Sequence, residues 1–322
     1  MTFHVLVPDS VNPKAVEVLQ QAGLKVTAPG QMKREETLAA LADADALIIR
    51  SATKADAALI AAAPRLKAIA RAGVGVDNVD LDAASAREIA VMNTPAGNTV
   101  ATAEFAFGLM LALARHIPQA FDSMQAGKWD RKSYQGVELR GKTLGIIGFG
   151  RIGQAVGKRA LAFEMRVIAY DPFIPAEAVA ALGAEKVTLD EIYAQSDFIS
   201  LHSVITDETR EMINSATLAK MKKGIRIVNA ARGALINEAD LAGAIRSGHV
   251  AGAALDVYGE EPPPPGHPLI GLPNVIDTPH LAASTDEAQV AVAIEAAELI
   301  VAALLKGEYK NVVNTDRLPS TR

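Results

Sequence analysis

Residues 142–172 read KTLGIIGFGRIGQAVGKRALAFEMRVIAYDP, and the order of residue types in that stretch decides the fold. Residues 143–147 form a short β-branched and apolar run that ends in Gly148-Phe149-Gly150-Arg151-Ile152-Gly153, and a helix-forming segment to Phe163 follows. A second apolar run, residues 166–170, closes on Asp171, 18 residues beyond Gly153. Strand, glycine turn, helix, strand and terminal acid within about thirty residues is the arrangement of a βαβ unit that binds a dinucleotide.

In this reading Gly148 makes the tight turn, Gly150 lets the backbone approach a pyrophosphate, and Gly153 lets the helix pack close to the sheet. The helix beginning near Arg151 and Ile152 offers free N–H groups and a partial positive charge to phosphates. The Asp171 carboxylate can accept hydrogen bonds from a ribose diol and would repel a 2′-phosphate, which favours NAD over NADP. A bare GxGxxG is weak evidence, and Asp171-Pro172 alone would read as a turn; the flanking strands and helix give the motif its weight.

Working outward, 322 residues suggest two domains, and half apolar with 21% charged residues allows a large core. A net charge of -5 with a pI near 5.7 argues against a nucleic-acid surface and for small-molecule partners. The absence of cysteine excludes disulfides, thiolate metal sites and a cysteine nucleophile, and no metal is expected. The N-terminal MTFHVLVPDS lacks a signal-peptide pattern, and the apolar run at residues 105–114 is far short of a membrane span. A soluble, cytoplasmic protein without membrane contacts is the expectation.

Before the central stretch, residues 3–7, 25–28, 46–49, 66–70 and 90–92 read as short buried strands, separated by helical segments at 13–22, 35–41 and 55–62. Such alternation predicts a parallel sheet covered on both faces. Asn98 is the expected N-cap of a long apolar helix to about Ala126, interrupted at Pro118 and stopped by Gly127. A helix apolar nearly all round must be buried in its domain or against a second subunit. From Lys142 strands restart near Thr143, Arg166, Asp197, Ile225, Gly252 and Val275. Ser284 with Glu287 three residues on reads as a capping box, opening an alanine-rich helix to Lys306 before Gly307. The expectation is an α/β protein of two doubly wound parallel-sheet (Rossmann-like) domains. Residues 1–97 and 285–322 form a discontinuous substrate-binding domain and 98–284 the NAD-binding domain, with a small substrate in the cleft between them.

Hydride chemistry on a nicotinamide asks the protein for a proton donor, a cation for a substrate anion, and exclusion of water. Of six histidines, His4 starts a strand, His116 lies in the long helix, His202 ends a strand, and His249 and His267 sit in polar turns; His280 follows a strand at a domain linker. Arg232 directly follows the apolar run 225–228 and could grip a carboxylate bidentately. Glu261 follows the run 253–257, and a carboxylate beside His280 would keep the imidazole protonated near neutral pH. Glycine-rich residues 71–77, RAGVGVD, can form an anion nest. Position alone leaves each open to a plainer role: a packed histidine, a surface salt bridge, a solvated loop acid, a tight turn.

Taken together, RAGVGVDNVDL, MNTPAGN, GFGRIGQ, VNAARGALINE, ALDVYGEEP and TPHLAAST, in this order and spacing, resemble the D-isomer-specific 2-hydroxyacid dehydrogenase family across nearly the whole chain. Within it the likeness is to the catalytic portion of the D-3-phosphoglycerate dehydrogenases, through RSATK, GKW and the run from Tyr134 to Leu139. The resemblance implies catalytic Arg232, Glu261 and His280, a carboxylate nest at Val74 and Gly75, and contacts to the NAD cofactor from Arg151, Ile152, Asp171, Ser203, Ala230 and Asp256, the last toward the nicotinamide carboxamide. Two departures stand out: Val204 follows Ser203 where the family usually has proline, and the sequence stops soon after Asn314 where many phosphoglycerate dehydrogenases continue into regulatory domains. The implied reaction is NAD-dependent oxidation of D-3-phosphoglycerate and its reverse, a step of serine biosynthesis. Arg50, Lys54, Arg131 and Lys132 are the candidate phosphate cations. A glyoxylate or hydroxypyruvate reductase is the rival, and an NAD(H)-sensing binding protein the rival of another class. A homodimer is expected, both from the resemblance and from Phe105, Phe107, Leu109, Met110, Leu111 and Leu113 on the long helix.

Overall fold

In the computed structural model, which describes residues 2–315, the apolar runs become two sheets whose strands pair in parallel. They belong to two compact units, one running to Asn98 and resuming at Ser284, the other spanning Thr99–Ala283.

In the first unit β1 (His4–Leu6), β2 (Lys25–Thr27), β3 (Ala46–Ile49), β4 (Ala68–Arg71) and β5 (Ala90–Asn93) lie in the order β2-β1-β3-β4-β5. Side chains alternate between two apolar layers: Val5, Ile48 and Ala70 face one, Leu6, Ile49 and Ile69 the other. The first layer is completed by the helix Asp286–Val301, through Val292, Ala296 and Ile300. That helix runs on as a π turn, Ala302–Lys306, to Gly307 at φ 70°. By length and composition alone the segment could cross a membrane, but half of it is buried in its own unit. Its cap lies one residue beyond the expected one: Thr285, not Ser284, accepts the Ala288 N–H, so Glu287 falls in the first turn instead of closing a capping box.

The second unit holds β6 (Thr143–Ile147), β7 (Arg166–Tyr170), β8 (Glu185–Lys186), β9 (Phe198–Leu201), β10 (Ile225–Asn229), β11 (Val250–Leu255) and β12 (Val275–Asp277), in the order β12-β11-β10-β9-β6-β7-β8. Only β8 escaped the sequence reading, because two residues carry no periodicity. Apolar layers cover both faces, with Ile146, Val228 and Ala254 in one and Ile147, Ile227 and Leu255 in the other.

The long apolar helix is two helices, Thr99–Arg115 and Ile117–Gln125, bent by 63°. The break falls at His116, in the left-handed region at φ 53°, and not at Pro118. Pro118 causes it from two residues away: it has no N–H for the Ala114 carbonyl, which instead accepts from the Val137 N–H at 2.9 Å. Asn98 does not cap the first helix, since its Oδ1 is buried without a hydrogen bond among the described residues. Phe107, Leu109, Met110 and Leu113 are buried in this unit's own core, with Phe105 and Leu111 packed partly against it. The apolar face left outside belongs to the second helix and the segment after it.

Candidate active site

Because the second sheet is parallel, the loops at its carboxyl ends share one edge. Along that edge come His280 after β12, Asp256 and Glu261 after β11, Ala230 and Arg232 after β10, Ser203 after β9, the glycine loop after β6 and Asp171 after β7. Five inter-strand steps of about 4.8 Å make the row roughly 24 Å long. Strand order reverses between β9 and β6, the switch point where ligands of such sheets bind.

The glycines divide by task. A Cβ on Gly148, which sits at φ 89°, would meet the His202 carbonyl carbon and the Ser203 nitrogen at 2.6 and 2.7 Å, and one on Gly153 would strike the Gly148 carbonyl. Gly150 has nothing within 4 Å of its Cβ position, so packing does not require it. The open space lies over the start of the helix Arg151–Ala162, whose N-cap is Gly150 and which has no side-chain cap. Two glycines that fit the loop to the protein and one that leaves room outside it suit a pyrophosphate at a helix N-terminus. Half-buried Asp171 does more than the sequence suggested. Its Oδ2 accepts the Phe149 N–H at 2.8 Å and its Oδ1 the Phe173 and Ile174 N–H groups at 2.9 and 3.2 Å, so it fastens the glycine loop while its remaining lone pairs can take a ribose diol. Ala230 is nearly buried, and Ser203 lies against the glycine loop. Burial pushes His202 down to about 4, so its ring is neutral near pH 7, and its Nε2 lies 2.8 Å from Ser200 Oγ.

At the other end of the row His280 Nδ1 lies 2.7 Å from Glu261 Oε2, with side chains 53% and 37% exposed, so the pair is open to a ligand. The hydrogen bond that His280 donates to Glu261, with the Glu261 charge and that of Asp256, raises the imidazole above its ordinary range against burial and the Arg232 charge. Burial would raise the Glu261 carboxyl, but bonds from His280 and the Tyr258 N–H, with the charges of His280 and Arg232, bring it below the usual carboxylate range. Arg232 is half-buried after β10, its Nη1 donating to the Ala231 carbonyl at 2.6 Å, and its charge acts on both members of the pair.

Asp256 directly follows β11. It has no exposed surface, and its carboxylate accepts from Thr278 Oγ1 at 2.6 Å and from the Leu281 and Ala282 N–H groups at 2.8 Å each. Its carbonyl takes the His280 N–H at 3.0 Å. These bonds tie Asp256 to the turn in which His280 sits at φ 53°, in the left-handed region. His267 is likewise no polar-turn residue but a buried partner of Glu238 at 2.9 Å. The partners of both residues were missed because a lone acid or histidine in a loop carries no sequence signal for the groups it will meet.

In the first unit the Val74 and Gly75 N–H groups have no hydrogen-bond partner among the described residues, as an anion nest requires, and the Val74 carbonyl is fixed by Asn93 Nδ2 at 2.7 Å. Arg50 is held at the end of β3, with its N–H on Asp9 Oδ2 at 2.6 Å and Nη1 on the Ser10 carbonyl at 3.1 Å. Lys54 is exposed, and so are Arg131 and Lys132 of the second unit. No cluster of three or more histidine, aspartate or glutamate side chains able to hold a metal exists among the described residues.

The family model for "D-isomer specific 2-hydroxyacid dehydrogenase, NAD binding domain" matches residues 107–282. A D-3-phosphoglycerate dehydrogenase of Archaeoglobus fulgidus is 49% identical over 318 residues, 99% of this chain and 60% of its own length. The chain thus spans about 60% of the length of this curated relative. Among solved structures, a glyoxylate reductase from Paecilomyes thermophila matches at TM-score 0.88 and 34% identity over 97% of this chain and 98% of its own. The NAD+-bound 3-phosphoglycerate dehydrogenase of Entamoeba histolytica matches at 0.81 and 29% over 98% and 99%. With that family model covering more than half of the chain and that relative 49% identical over nearly all of it, the chain belongs to the D-isomer-specific 2-hydroxyacid dehydrogenase family and carries its NAD-binding domain.

Proposed function

We propose that the protein catalyses the reversible NAD-dependent oxidation of D-3-phosphoglycerate to 3-phosphohydroxypyruvate. The observation that carries the reaction is the 2.7 Å contact of His280 with Glu261, within the field of Arg232, on the same sheet edge as the nucleotide loop. Bound at that loop, NAD supplies the hydride acceptor in oxidation and the donor in reduction. Gly150 and the helix start at Arg151 and Ile152 would hold its phosphates and Asp171 its ribose, with Ser203 and Ala230 beside it on the same sheet edge. The Arg232 guanidinium holds the substrate carboxylate. His280 Nε2 takes the hydroxyl proton in oxidation and returns it in reduction, while Glu261 orients the ring through Nδ1 and favours its protonated form. Within the first unit, the Val74 and Gly75 N–H groups, without a hydrogen-bond partner among the described residues, are offered as an anion nest.

The phosphorylated substrate rests on the identity to the Archaeoglobus fulgidus enzyme and on the cations Arg50, Lys54, Arg131 and Lys132. Hydroxypyruvate or glyoxylate is the competing substrate, favoured by the likeness to the Paecilomyes thermophila reductase. NADH oxidation by the purified chain against phosphohydroxypyruvate, hydroxypyruvate and glyoxylate, with NADPH in parallel, decides. We expect the highest kcat/KM with phosphohydroxypyruvate and NADH; a preference for the unphosphorylated acids would transfer the assignment to the reductase reading, and no turnover to a sensing role.

A homodimer is part of this proposal, but on other residues than the sequence suggested. Ile117, Phe121 and Met124 lie on one face of the second helix, and exposed Trp129 follows it; Phe121 and Trp129 are 61% and 79% exposed. Such an apolar patch fits a second copy of the chain, and light scattering at micromolar concentration should return twice the 33.8 kDa chain mass.

A further inference from the structure

Behind the His280–Glu261 pair stands a second carboxylate–imidazole pair that the proposed reaction does not use. Glu238 opens the helix Glu238–Arg246, which follows the turn Gly233–Leu235 after Arg232. Its Oε2 lies 2.9 Å from His267 Nε2, and its Oε1 accepts the Gly259 N–H at 2.9 Å. The His267 side chain is 4% exposed. Its Nδ1 accepts the Leu269 N–H at 3.4 Å, so Nε2 is the nitrogen that donates to Glu238.

This pair grips the turn that carries Glu261. Tyr258 meets the His267 ring edge-on, with centroids 5.6 Å apart, and its hydroxyl has its one proton within reach of the Leu255 and Thr278 carbonyls, at 3.3 and 3.2 Å. The Tyr258 N–H donates to Glu261 Oε1 at 3.1 Å. From the other side a Cβ on Gly233 would run into the Tyr258–Gly259 peptide, so the Arg232 loop packs directly on the same turn. Asp277, whose carboxyl burial holds above its usual range, faces Tyr258, His267 and Gly271 from β12. Glu238 is therefore the side chain through which the element after Arg232 reaches the backbone two residues before Glu261.

We propose that Glu238, oriented by His267, is a positioning residue: it sets the Tyr258–Glu261 turn against the Arg232 loop and so keeps the Glu261 carboxylate within hydrogen-bond reach of His280. The proposal rests on the roles given above to His280 and Glu261.

The test compares the full-length wild type with Glu238→Ala, Glu238→Gln, His267→Phe and Glu261→Gln, by kcat and KM for 2-oxo acid reduction across pH, NADH affinity and melting temperature. Glu238→Ala should lose about tenfold or more in kcat, as misplacement of a catalytic group does, with NADH affinity within about twofold. Its alkaline limb should move in the same direction as that of Glu261→Gln. Glu238→Gln keeps an acceptor for the Gly259 N–H and should recover part of both effects. His267→Phe, which preserves the ring packing on Tyr258, should show a smaller loss of the same kind and decides the matter if Glu238→Ala does not fold. A wild-type pH limb in the folded Glu238 and His267 variants would overturn the positioning role. An unmoved limb in Glu261→Gln would overturn the reading of the catalytic pair, and this inference with it.

Discussion

Asp171 and Asp256 each follow a strand of the same parallel sheet, β7 and β11, yet they sit in opposite circumstances. Asp171 is half-buried and shares its oxygens among three backbone N–H groups of the glycine loop and its own turn, with lone pairs left over. Asp256 is wholly buried, and its three donors all come from residues 278–282 around His280. The same residue type at the same place in a strand-loop unit is thus left with lone pairs to spare in one case and wholly taken up by the His280 turn in the other. Exposure makes the difference, because a carboxylate without access to solvent must find all its partners within the protein.

The contrast is sharpened first at the residue Asp256 supports. His280→Ala should lower kcat by roughly 10²- to 10⁴-fold, the usual worth of a positioned acid–base group, while NADH affinity measured by fluorescence titration changes little. An equal loss in affinity and kcat would move His280 out of the proton-transfer role.

Next in size is Asp256→Asn. Its amide nitrogen would face N–H donors, so we expect about 2–4 kcal/mol of lost stability by chemical denaturation. The His280 turn should loosen with it, costing kcat about tenfold or more. Should stability hold while NADH affinity falls, Asp256 faces the cofactor after all and the contrast between the two acids disappears.

Asp171→Ala should have the smaller effect: about a tenfold weaker NADH complex, near 1.4 kcal/mol, and relaxed discrimination against NADPH, with kcat at saturating cofactor close to wild type. A wild type that already prefers NADPH would contradict the ribose assignment.

These two acids also show how far the sequence could be read. The βαβ unit at residues 142–172 was legible because strand period, glycine spacing and terminal acid are all local, and the structure places β6, the helix Arg151–Ala162 and β7 on it. Arg232, Glu261 and His280 could be selected as strand-end residues, but that two of them meet at 2.7 Å is a property of β11 and β12 being neighbours, which spacing alone does not give. The task of Asp256 was hidden because its partners lie more than twenty residues on, as were those of Glu238 and His267. The break at His116 was misplaced to Pro118 because proline marks where a helical hydrogen bond is lost, while the turn is made where the chain can best adopt a left-handed residue. The exposed face at Ile117, Phe121 and Met124 went unread because burial by the unit's own core could not be subtracted from an apolar pattern.

The central claim is that Glu261 and His280 act as one proton-transfer device, and the pH dependence of kcat/KM for 2-oxo acid reduction in wild type and Glu261→Gln tests it most directly. Reduction needs the protonated imidazole, so activity is present at low pH and is lost as pH rises through the His280 pKa, which the Glu261 hydrogen bond raises. With the carboxylate replaced, that pKa falls, and the alkaline loss should begin at lower pH than in the wild type. Superimposable profiles would show that Glu261 does not tune His280 and would contradict the account.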